Sequence, residues 1–80
     1  MLIINRLAEV FSEKKIYNRH VAEYLDKSEG TVSRWVNNHR QPTLEQLYKI
    51  AEYLRMDIRS LLYASDWKSS KVSPYQKSKE

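Results

Sequence analysis

Residues 28–38 read S-E-G-T-V-S-R-W-V-N-N, and they carry a start signal, a stop signal and two unlike faces. Ser28 is a helix-capping type, because its hydroxyl accepts one of the backbone N–H groups left free at a helix start. Val32, Trp35 and Val36 recur at i, i+3 and i+4, so they share the side of the helix that points inward. Glu29, Gly30, Thr31, Ser33, Arg34 and Asn37 are left on the other side. Asn38 follows the last apolar residue, and Asn tolerates left-handed backbone better than any residue but Gly. At about 1.5 Å per residue, this helix is roughly 15 Å long.

Outward from this stretch, the pattern stays helical. Upstream, Val21, Ala22 and Leu25 make the inner face of a short helix from Asn18, its cap, to about Lys27. Asp26-Lys27 is the turn between the two. Downstream, Pro42 ends the loop, and T-L-E-Q is a capping box with Thr43 at the cap and Gln46 three residues on. Leu44, Leu47, Ile50, Ala51 and Leu54 then form the inner stripe of a helix running to about Arg55. Asp57 caps a short fifth helix with Ile58, Leu61 and Leu62 apolar. Before all of these, Ile4, Leu7, Ala8 and Phe11 predict a first helix from about Ile4 to Lys14, with Lys14 and Lys15 at its C-terminus, where the helix dipole favours cations. No strand signal and no internal repeat are present. The expected fold is all-α, with five helices. Two short helices in tandem, the second polar on its outer face, are the helix-turn-helix pattern.

Eighty residues allow one small domain. A chain of this size buries only about 60% of its unfolded surface, so association with a partner would help its stability. There is no cysteine, hence no disulfide framework or thiolate metal site; this fits a cytoplasmic location. No apolar run approaches the ~20 residues of a membrane span. The opening M-L-I-I-N-R is too short an apolar run for a signal peptide. The 14 basic and 10 acidic residues leave a net charge of +4, a modest bias toward polyanions. From Ser65 the sequence turns polar and lysine-rich and is broken by Pro74. Residues 1–64 are therefore read as the domain, and 65–80 as a flexible tail. Trp67 is the exception in that tail. Four residues after Tyr63, it extends the fifth helix, folds back on the domain or sits in a dimer contact.

At this point the sequence resembles the phage-repressor, or Cro-like, helix-turn-helix family of the xenobiotic-response-element type. The matching residues are V-A-E-Y-L, S-x-x-T-V-S-R-W, Pro42, L-x-x-L-x-x-I-A-x-x-L from Leu44 to Leu54, and D-I-R-S-L-L. The resemblance implies a compact lambda-repressor-like domain with its motif at helices 2 and 3. It also implies double-stranded operator DNA as partner, a homodimer, and control of transcription. Two departures stand out. The family's usual glycine turn is missing, and the only glycine, Gly30, lies inside the recognition helix. There it costs about 0.5–1 kcal/mol against Ala; close approach to DNA and tolerated drift at an exposed position both remain open as reasons. The family's buried Arg–Glu pair is matched by Phe11 and Val36, an apolar version of the same contact.

DNA recognition divides into reading and positioning. Reading falls to the N-terminal half and outer face of the recognition helix, Ser28 to Asn37, lying in the major groove. That selects Glu29, Gly30, Thr31, Ser33 and Arg34. Arg34 suits guanine O6 and N7, Glu29 a cytosine amino group, and the Thr31 methyl a thymine. Glu29 also has a plain role as a negative charge at a helix N-terminus. For positioning, the resemblance implies phosphate contact by Asn18, where the family usually has Gln, with Arg19 beside it. Ser28 and the loop Asn37, Asn38, His39 and Arg40 are the other phosphate candidates. Leu61, Leu62, Tyr63 and Trp67 are the candidate dimer surface.

His20 and His39 are isolated, and no metal or cofactor is expected. Nothing marks an enzyme: there is no glycine-rich phosphate loop and no nucleophile–base spacing. Two other functions compete with a dimeric regulator. One is an antitoxin whose tail wraps a toxin; the other is a protein-interaction module without DNA binding.

Overall fold

The computed structural model describes residues 2–67. Within it, four α-helices and one 3-10 turn follow in order: α1 (Leu7–Lys14), α2 (Asn18–Leu25), α3 (Glu29–Val36), α4 (Leu44–Leu54) and the 3-10 helix Ile58–Leu61. The class is all-α, as expected, but the fifth element is a single 3-10 turn and not an α-helix. Leu62 to Trp67 take no helical form, so Tyr63 and Trp67 do not prolong it. The polar segment beyond Trp67 lies outside the described residues.

The helix starts follow from their capping side chains. Ser28 Oγ accepts from the Thr31 N–H at 3.1 Å, and Thr43 and Gln46 close their capping box at 3.0 and 2.8 Å. Asp57 accepts from the Arg59 N–H at 2.8 Å. Two starts differ from the sequence reading. Tyr17, not Asn18, is the cap of α2, and it offers no side-chain bond. Helix α1 begins at Leu7, three residues later than Ile4. Asn5 Oδ1 takes the Leu7 N–H at 3.0 Å, and the chain before it runs extended to form an antiparallel bridge, Asn5 with Leu62.

The helix ends share one device. Lys15, Asp26, Asn38 and Arg55 all have φ of 56–58°. In each case the next residue's N–H reaches back five residues: Ile16 to Phe11 O, Lys27 to Ala22 O, His39 to Arg34 O, and Met56 to Ala51 O, all at 2.8–3.0 Å. These are left-handed C-caps made without glycine.

The core gathers one stripe from each element. Leu7, Val10 and Phe11 come from α1, Val21 and Ala22 from α2, Val32 and Trp35 from α3; Leu47, Ile50, Ala51 and Leu54 from α4 and Leu61 from the 3-10 turn complete it. Val36 packs against this cluster with Phe11 inside it, and α1 packs on α3. Three predicted stripe residues, Ile4, Ala8 and Leu44, lie outside it. Leu44 is 75% exposed, because the stripe's first position overhangs the end of the core. Ala8 is exposed too, and Val10 takes the inward position. No helix among the described residues is long and apolar enough to cross a membrane.

Candidate nucleic-acid interface

Helix α3 packs on α2 and α1 through Val32, Trp35 and Val36, which leaves its other side to solvent. Glu29, Gly30 and Arg34 are exposed there, with Thr31 and Ser33 half-buried at the edges of the ridge. Ser28 and Thr31 also join through their hydroxyls at 2.9 Å, which orients the Thr31 methyl away from that bond. An added Cβ at Gly30 would lie 3.9 Å from both Arg34 Nη1 and Ser28 Oγ, an ordinary contact. The fold does not demand glycine at this position.

At the start of α2, Asn18 is half-buried and Arg19 exposed. The Arg19 guanidinium lies 4.7 Å from the Tyr17 ring centre, and Tyr17 meets His20 edge-on at 5.6 Å. A cation held over an aromatic face is oriented before any ligand arrives. Tyr17 was missed in the sequence, although its signal was an aromatic two residues before an arginine.

The loop after α3 divides into exposed and buried members. Asn37, His39 and Arg40 are exposed. The N–H groups of His39 and Arg40 both donate to Arg34 O, at 2.9 and 3.2 Å, so only their side chains are open to a phosphate. Asn37 Nδ2 donates to Ser33 Oγ at 3.4 Å.

Asn38 is 7% exposed, and its expected place among the phosphate contacts is corrected. Its Oδ1 accepts from the N–H groups of Ile4 and Asn5 at 3.0 and 3.1 Å and from Gln41 Nε2 at 3.0 Å. Its Nδ2 donates to Asn5 O at 3.2 Å. Asn5, 2% exposed, donates in turn to Trp35 O at 2.9 Å and Gln41 Oε1 at 2.8 Å. Among the described residues no buried side-chain polar atom lacks a partner. Nothing local in the sequence announced this cluster, since its partners lie 30–36 positions apart.

The candidate dimer residues also separate. Leu61 is fully buried and cannot meet another chain. Leu62, Tyr63 and Trp67 are exposed. Elsewhere, an open cleft of about 510 Å³ lies between α4 and the 3-10 turn, lined by Tyr48, Glu52, Arg55 and Ile58 among others. Among the described residues no cluster of His, Asp and Glu is placed to hold a metal.

Fold and outward ridge together define a helix-turn-helix protein. The helix-turn-helix family model matches residues 14–61, and the chain belongs to that family, in its Cro/C1 type. The crystal structure of a candidate DNA-binding protein from Bacteroides fragilis is similar at 45% sequence identity, with a TM-score of 0.74 over 78% of this chain and 100% of that one. No curated protein sequence matches.

Proposed function

We propose that residues 1–64 form a sequence-specific DNA-binding unit that regulates transcription as a homodimer on an operator. Helix α3 enters the major groove in this reading. Arg34, Glu29 and Thr31 read base edges, with Ser33 beside them and Gly30 leaving room for close approach. Asn18, Arg19, Ser28, Asn37, His39 and Arg40 grip phosphates. The observation that carries the proposal is the ridge itself: α3 turns its apolar residues inward and leaves Glu29, Gly30 and Arg34 fully available on a helix anchored at both ends. The B. fragilis protein's description as DNA-binding supports the same reading.

The test is binding of a fluorescent mixed-sequence duplex across a salt series. Contacts to several phosphates predict a log K against log salt slope steeper than about −3. A slope near zero, or no binding, would overturn the proposal and favour the interaction module.

A further inference from the structure

The chain from Leu2 to Ile4 runs extended beside Leu62 and Tyr63. The Arg6 N–H donates to Leu61 O at 2.8 Å and the Tyr63 N–H to Ile4 O at 3.0 Å, one on each side of the Asn5–Leu62 bridge. Only Asn5 turns inward. Leu2 is 70% exposed, Ile3 64%, Ile4 41%, Leu62 38%, Tyr63 41% and Trp67 77%. The N–H and C=O groups of Leu2 and Ile3 have no hydrogen-bond partner among the described residues, so beside the Asn5–Leu62 bridge this segment leaves backbone groups open to pair with another chain.

The segment is nevertheless held firmly, because buried Asn38 takes the N–H groups of both Ile4 and Asn5. A segment pinned by a buried amide, with its own apolar side chains in water, is not held there to fill this copy's core. Leu2–Ile4 and Leu62–Ser65 carry no charge, and Asp66 before Trp67 is acidic, which argues against a nucleic acid as the occupant, since such ligands are gripped by cations.

We infer that this ribbon is the surface on which a second copy of the chain docks, edge to edge about a two-fold axis. The inference rests on the dimer in the proposed function and gives it a location. A neutral apolar edge is complementary to itself, as a two-fold interface requires, and free strand groups supply backbone hydrogen bonds to a paired strand. The six exposed residues leave about 600 Å² open on each copy, and covering all of it on two copies would bury about 1,200 Å², the lower end of a specific interface. A polar rim stands ready: Glu9 accepts from Tyr63 Oη at 2.7 Å and from Arg6 Nε at 3.1 Å. The ribbon lies at the C-terminal end of α3, where Asn5 Nδ2 meets Trp35 O. A second copy seated there leaves the reading end, Ser28–Thr31, unobstructed.

The test is the mass of the full chain by sedimentation equilibrium without DNA, at high micromolar concentration. Ile3→Asp alters a side chain that is 64% exposed and lies outside the core cluster, and Leu44→Asp, 75% exposed on α4, is the control. The expected result is a two-copy mass for the wild type and for L44D. For I3D, self-association weakens by more than about tenfold, because two like charges meet at the axis, while its melting curve at one-copy concentration is unchanged. A wild type of one-copy mass, an I3D that stays paired, or an L44D that alone dissociates would each overturn the inference. Failure of the wild type to bind DNA would defeat the proposed function and leave this mass result standing.

Discussion

The two ends of α3 are held in opposite ways. The N-terminal end rests on one exposed hydroxyl, Ser28 Oγ, and presents Glu29, Gly30 and Arg34 to solvent. The C-terminal end is sealed by Asn38, Asn5 and Gln41, whose side-chain bonds reach the N-terminal segment and the helix's last turn. Polar residues at the first end are free to meet a ligand; polar residues at the second are spent inside the fold. Residue type alone does not separate the two uses, and burial does.

That contrast makes a paired prediction with the largest effects. Asn38→Ala removes the acceptor of two backbone N–H groups and the residue best suited to left-handed backbone. It is expected to cost about 3 kcal/mol or more in urea unfolding. Arg34→Ala should leave stability within about 0.5 kcal/mol and yet cost about 1–3 kcal/mol of discrimination between operator and mutated sites, measured by competition binding. Equal stability losses in both would erase the contrast.

Gly30→Ala sharpens it. Relief of the helix cost should stabilise the fold by about 0.5–1 kcal/mol, since the new methyl meets only ordinary contacts. Weaker binding to DNA by the same variant would assign the glycine to close approach, whereas unchanged binding would assign it to drift.

A gain of about the same size is expected at the left-handed caps that lack an amide network. Lys15→Gly and Arg55→Gly should each stabilise by about 0.5–1 kcal/mol on thermal or urea unfolding, because a side chain at φ near 57° is strained and glycine is not.

The smallest effect concerns Asp57. Hydrogen bonds from the Arg59 side chain and backbone hold its carboxyl down at about 2. A lowered value means the 3-10 cap contributes above the ordinary carboxylate range and is lost as pH falls through about 2. The Arg59 amide resonance should therefore titrate there, and its absence in Asp57→Asn would confirm the source.

Much of this architecture was legible in the sequence because its signals are local. Ser28, Thr43 with Gln46, and Asp57 are caps bonded to residues two or three positions away, and the stripes of α3 and α4 repeat at helical spacing. Failures came where a distant partner decides. Ile4 fits the helical stripe of α1, but Asn38, 34 positions later, takes its N–H and keeps it extended. Asn38 was legible as a left-handed residue and illegible as a buried one, for the same reason. Leu44 shows the limit of periodicity, which gives a face and not the extent of the core beneath it. The outward residues of α3 were legible by subtraction: once Val32, Trp35 and Val36 face inward, Glu29, Gly30 and Arg34 have nowhere to go but out.

The most direct test of the central claim is an amide chemical-shift map of the isotope-labelled protein titrated with a duplex. The account predicts perturbations concentrated at Asn18–Arg19, Ser28–Arg34 and His39–Arg40, fading as salt is raised. Perturbations confined to Leu2–Ile4 and Leu62–Tyr63, or none at all, would contradict it.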